Sequence, residues 1–274
     1  MSYVSDLGST PVIDDNNADQ YIGEVASGGL SRGYVDRDFK RFREGFYAPR
    51  YTGPVFPRSQ WDDLIKMHED NQSSPDHHRL ASGVPVLDQN GLGYCWMYGV
   101  VGAIMTAYGQ TGMKAPHLSA TSAAAQGKRW RNQGGWAGEA IRYIERFGIA
   151  ELSVWPEHSM NRSLPSKPEV QASARKHKLV QFLELPSRNF DAACSAILDP
   201  VNPRAITLGL NWWGHLVYGT KVVAISSRRY GIKIVNSWRP SWGDNGTAVL
   251  AENKATAHEY VAVDRVKLRE EPVA

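Results

Sequence analysis

The sequence predicts an α+β protein of two lobes, on three observations. Its first half has helical patterning, its second half is rich in short β-branched runs bounded by Gly or Asn, and its charge balance changes near residue 80. Residues 1–80 hold 9 Lys or Arg against 13 Asp or Glu, whereas residues 81–274 hold 22 against 15. The first 30 residues carry five acids and no Lys or Arg. The expected organisation is an N-terminal arm over 1–80 and a main domain over 81–274, with a helical lobe at about 90–160 and a β-rich lobe at about 178–270.

The arm has little periodicity. Its scattered aromatics, Gly and Pro, as in "GGLSRGYVDRDFKRFREGFYAPRYTGPVFP", read as an extended segment. They exceed what a solvating tail needs, so the arm is expected to dock on its own domain or on a protein partner. "SQWDDLIKMHED" (59–70) reads as one short helix capped by Ser59, and "NQSSPDHHR" reads as a linker. "CWMYGVVGAIMTAYG" is apolar nearly all round and predicts a buried helix of about four turns beginning at Cys95. Ser119 is placed to cap a second helix. "GEAIRYIERFG" is amphipathic, with Ile141, Ile144 and Phe147 on one face and Gly148 as its stop. Beyond residue 178, "KLVQFLEL", "RAITLGL", "HLVYGTKVVAIS", "GIKIVNSW" and "GTAVLAE" read as strands, and "RNFDAACSAILD" as a short helix between the first two.

Composition excludes several classes. Hydrophobic content of 42% and charged content of 22% fit a globular protein, and a net charge of +3 is too small to argue for nucleic acid. No apolar run is long enough to cross a bilayer, so no membrane association is expected. The N-terminus has neither a basic nor an apolar signal region. Two cysteines without a secretion signal point to free thiols in a reducing compartment, the cytoplasm or a particle assembled there. The Cys and His residues show no paired ligand spacing, so neither metal nor cofactor is expected. "GGWAG" lacks the Lys and spacing of a phosphate loop.

The chemistry gathers at "QNGLGYCWMYG". A thiol in the first turn of a helix faces free N–H groups and the positive end of the dipole, which favour the thiolate. A lone Cys in an apolar helix is most often a packing residue, and Cys194 fits that reading. Cys95 differs in having Gln89 six residues before it and Trp96 directly after it. This segment resembles the Gln-Gly-x-Cys-Gly-Ser-Cys-Trp active-site run of papain-like cysteine peptidases. "NWWGHLVYG" and "IVNSWRPSWGDNG" resemble that family's His and Asn-Ser-Trp-Gly segments, and His215 and Asn236 follow Cys95 by 120 and 141 residues. "LSATSAA" and "RNQGGWAGEAIRYIERFGIAELSVWP" extend the similarity over roughly residues 82–265.

The resemblance implies a papain-like two-lobed fold, with a helical left lobe, a β-barrel-like right lobe and a non-family N-terminal arm. It implies a cysteine peptidase acting on a polypeptide substrate. Cys95 is then the nucleophile, His215 the base, Asn236 its orienting partner and Gln89 an oxyanion donor. Trp238 shields the Asn–His contact, Gly134 and Gly135 form the strip for substrate backbone, and Trp136, Trp213 and Leu216 line an apolar side-chain pocket. The family's disulfide is absent, since Leu92 and Asn132 stand where its cysteines would. Tyr94, before the nucleophile, is bulky enough to narrow the cleft, and the sequence leaves open whether it does. The arm lacks the patterned helix of an inhibitory propeptide and reads as a tether or docking segment. The competing reading is a papain-fold scaffold subunit, for instance of a virion, with a vestigial or single-use site. A cell-wall amidase of the Cys-His type is disfavoured by Gln89 and by the Asn-Ser-Trp run.

Overall fold

The computed structural model describes residues 3–22 and 32–267. In chain order these form β1 (Val12–Ile13), α1 (Ala18–Tyr21), α2 (Trp61–Asp70), α3 (Pro75–Ala81), α4 (Cys95–Gln110), α5 (Ala120–Gly127), α6 (Ala137–Phe147), α7 (Pro168–Lys176), β2 (Leu179–Leu185), α8 (Phe190–Leu198), β3 (Ile206–Leu210), β4 (His215–Ser226), β5 (Arg229–Val235), β6 (Thr247–Ala251), α9 (Glu252–Ala255) and β7 (Glu259–Lys267). The seven strands make one mixed sheet in the order β1-β6-β5-β4-β3-β7-β2. Only the β1–β6 pairing is parallel. This is the expected two-lobed α+β architecture.

Helix α4 organises the helical lobe. Every residue from Cys95 to Gly109 is buried, as a helix apolar on all faces requires. It packs against α3, α5 and α6 on one side and against β4 and β7 on the other. Gly99 and Gly102 make the second contact possible. A Cβ at Gly99 would come within 2.4 Å of Leu216 Cδ2, and one at Gly102 within 2.4 Å of the Tyr218 ring. A second core lies in the sheet lobe, where Trp61 of α2 and Phe190, Cys194 and Ile197 of α8 cover one face of the strands.

The stretch expected to be a linker folds as α3. Ser74 caps it, accepting from the His77 N–H at 3.4 Å, and Pro75 occupies the first helical position. The Ser-Pro pair was the signal for that start. Ser59 lies in a 3-10 turn (Arg58–Gln60) and does not cap α2, which begins at Trp61. β1, α7 and β7 carried no sequence expectation. β1 draws a piece of the arm into the sheet, pairing Val12 with Val249 and Ile13 with Leu250.

Helix α3 is tied to the sheet by a buried ion cluster. Asp76 Oδ1 accepts from Arg79 Nε at 3.0 Å and from Thr220 Oγ1 at 3.2 Å, while Oδ2 accepts from Lys233 Nζ at 2.9 Å. Burial alone would raise the Asp76 carboxyl, but Arg79 and Lys233 outweigh it and hold the group at about 2. Removing the carboxylate leaves Arg79 buried and unpaired. Asp76→Ala is therefore expected to lower unfolding stability by about 3–5 kcal/mol in urea titrations. In the unsubstituted protein this contribution is complete above the ordinary value of 3.8 and is lost as pH falls through 2.

Candidate active site

Cys95 opens α4, following Tyr94, whose carbonyl accepts from the N–H groups of Met97 and Tyr98. His215 opens β4, and Asn236 lies in the connection after β5. The packing of α4 on β4 brings the first residues of these two elements to one end of their interface. His215 Nε2 is 2.7 Å from Asn236 Oδ1, which also accepts from the Ser237 N–H at 2.8 Å. With Oδ1 the acceptor, Nε2 carries the ring proton and Nδ1 presents a lone pair. Nδ1 is buried without a hydrogen-bond partner. The Trp238 ring packs on the imidazole at a centroid distance of 4.5 Å, and Trp213 lies against it at 5.0 Å. Trp213 thus belongs to an aromatic wall around His215, together with Trp238 and Trp242.

Gln89 is buried beside Ser237. Its Nε2 donates to the Leu92 carbonyl at 2.6 Å, its Oε1 accepts from Ser237 Oγ at 2.7 Å, and its own N–H donates to the Ser237 carbonyl. Asn132 accepts from the Gly93 N–H through Oδ1 at 2.6 Å. A hydrogen bond therefore holds the loop before Cys95 where the resemblance implied a lost disulfide. Cys95 and Cys194 are both free and buried.

Tyr94 does not narrow the cleft. Its ring is fully buried in the helical lobe, edge-on to Trp96, and its hydroxyl donates to the Arg131 carbonyl at 2.7 Å. Leu216 also departs from the pocket role, since its side chain packs onto α4 at Gly99.

The cleft is filled by the arm, which the sequence did not foresee. Tyr34 bridges Gly135 in parallel: the Val35 N–H donates to the Gly135 carbonyl at 2.9 Å, and the Gly135 N–H donates to the Gly33 carbonyl at 2.8 Å. On the other wall, the Tyr34 N–H donates to the Gly214 carbonyl at 3.1 Å. Gly33 sits so close to the nucleophile loop that a Cβ there would come within 2.0 Å of the Gly93 carbonyl oxygen. The Cys95 sulfur lies among backbone N–H groups of Leu216, Gly33, Trp96 and Tyr34, two of them from the arm. Cys95 and His215 are consequently both 0% exposed.

This closure reverses the expected electrostatics. Burial pushes the Cys95 thiol up to about 12, overriding the N–H groups that lower it. Burial likewise pushes His215 down to about 4, against the raising effect of Asn236. In the closed protein burial favours the neutral thiol of Cys95 and the neutral imidazole of His215.

No family model matches the chain. Among curated proteins, it is 25% identical over 199 residues to a cysteine proteinase of Theileria parva and 26% identical over 231 residues to cathepsin K of Mus musculus. The matches cover 67% and 76% of this chain but 43% and 66% of those relatives. The structure of xylellain, a cysteine protease from Xylella fastidiosa, superposes with a TM-score of 0.58 at 13% identity, covering 86% of this chain and 97% of that one. The fold is papain-like. The sequence matches support a divergent papain-like homology, and the absence of a disulfide among the described residues accords with it.

The raised thiol has a direct consequence. At pH 8 the neutral thiol of Cys95 dominates in the closed protein. Iodoacetamide is therefore expected to alkylate Cys95 in the native chain orders of magnitude more slowly than in urea. Equal rates by mass spectrometry would contradict the closed geometry.

Proposed function

We propose that the protein is a papain-like cysteine peptidase held latent by its own arm. The observation that carries this reading is the 2.7 Å contact between His215 Nε2 and Asn236 Oδ1, which leaves Nδ1 as the nitrogen able to act as a base. His215 Nδ1 takes the thiol proton as sulfur attacks a substrate carbonyl and the C–S bond forms. The oxyanion is stabilised by the Cys95 N–H and by the Gln89 side-chain amide. Imidazolium then protonates the leaving nitrogen as the C–N bond breaks. Water hydrolyses the thioester, with His215 again as base. Gly134 and Gly135 bind substrate backbone in the place the arm now holds, and Trp238 excludes water from the Asn236–His215 contact.

A second reading is favoured by the filled cleft. A papain-fold scaffold whose site stays closed would also bury Cys95 and His215 behind residues 33–35. The substitution that separates the two readings is Gly33→Val, because its side chain cannot fit against the Gly93 carbonyl and displaces the strand. In the full chain, Gly33→Val is expected to make Cys95 react with a peptidyl epoxide and to hydrolyse peptide amides. Adding His215→Ala abolishes both, and adding Gln89→Ala lowers kcat by about 10²–10³. A folded Gly33→Val protein whose Cys95 stays unlabelled would establish the scaffold reading.

A further inference from the structure

The arm does more than cover the nucleophile, since it also plugs a buried acidic pocket with its own cation. Three residues beyond Tyr34, the Arg37 side chain is 2% exposed. Its Nη1 lies 3.1 Å from Glu184 Oε2 and 3.5 Å from Glu259 Oε1, and both carboxylates are 1% exposed. The guanidinium lies over the Trp136 ring at 5.1 Å. Its remaining donors are used within the arm, Nε to the Phe42 carbonyl at 2.8 Å and Nη2 to the Arg43 carbonyl at 2.6 Å.

The acidic partners belong to the domain. Glu184 is on β2 and Glu259 opens β7. Glu259 Oε2 accepts from the Ala137 N–H at 3.0 Å, directly after the Gly134–Trp136 strip. The pocket adjoins the segment in the cleft, since the Tyr34 hydroxyl is 3.3 Å from His258 Nδ1, the residue before Glu259. Glu184 is otherwise satisfied by the arm, through the N–H groups of Gly45 at 2.6 Å and Tyr47 at 3.1 Å. When residues 33–37 leave the cleft, Glu184 and Glu259 lose their shared cation and keep the N–H groups of Gly45, Tyr47 and Ala137. Burial raises the Glu259 carboxyl to about 7 even beside Arg37, so a cation taking the place of Arg37 restores the partner that favours the charged form. One guanidinium nitrogen of Arg37 meets both carboxylates, and the delocalised cation lies over the Trp136 ring.

We propose that the pocket walled by Glu184, Glu259 and Trp136 selects substrates through a basic side chain, arginine above all, and that Arg37 is its built-in occupant. This reverses the apolar pocket that the sequence suggested, and it rests on the peptidase reading for its catalytic half only.

The test has a binding arm and a turnover arm. Full-length Arg37→Ala is melted with arginine amide, with leucine amide, and with neither. Arginine amide is expected to raise the melting midpoint in a saturable way, leucine amide is not, and the shift is expected to vanish in Arg37→Ala with Glu259→Gln. If Arg37→Ala is recovered unfolded, refolding yield is read instead, with the same expected order and the same dependence on Glu259. Equal effects of the two amides, or an arginine effect unchanged by Glu259→Gln, would overturn the proposal. In Gly33→Val with Arg37→Ala, peptide amides containing Arg are expected to be cleaved about tenfold or more faster than the same peptides with Leu in its place. Faster cleavage of the Leu peptides would also overturn it. A Glu259-dependent arginine shift in a protein that cleaves nothing would sink the peptidase reading and uphold the pocket.

Discussion

Everything at the site depends on how closely α4 lies on β4. Two side chains are missing from the interface, at Gly99 and Gly102, and Leu216 and Tyr218 occupy the space. That contact fixes the start of the helix beside the start of the strand, with the Cys95 sulfur at the backbone N–H of Leu216. The same contact makes α4 apolar on every face, since it is enclosed by helices on one side and strands on the other. The cost falls on the site's own charges. A thiolate and an imidazolium are favoured by N–H groups and by Asn236, yet both ionised forms lose more to burial while the arm is in place. Opening the cleft changes solvation before it changes any covalent geometry.

The parts of this arrangement written in side-chain chemistry were legible in the sequence. Cys95, Gln89, His215 and Asn236 stood out through their order and spacing, and α4 and α6 through apolar patterning ending at glycines. The missed elements carry weaker signatures. α3 is polar, and its start rests on Ser74 and Pro75 alone. β1 is two residues long and exists only because β6 offers an edge. The rotamer of Tyr94 is decided by the Arg131 carbonyl, 37 residues away, and no local pattern encodes it.

The arm in the cleft was hidden for a related reason. Its grip on Gly135 and Gly214 is made by backbone N–H and C=O groups, which every residue possesses. The informative residues were Tyr34 and Arg37, and they read as ordinary members of a polar stretch because their partners, His258, Glu184 and Glu259, lie far away in sequence. An extended segment with scattered aromatics was correctly read as docked, but composition could not say onto what.

The strand in the cleft is moored on both sides. Before it, β1 is stitched to β6. After it, the Tyr51 N–H bonds to the Glu184 carbonyl, and Arg58 pairs with Asp191 and Glu252. Residues 33–37 can therefore leave the cleft without leaving the molecule. The blocking segment then acts at an effective concentration set by its attachment to the same chain, whatever the concentration of the protein. Dilution does not relieve such an occupant. A competing peptide must outbid it at that local concentration, and once the competitor departs the cleft refills by a first-order step.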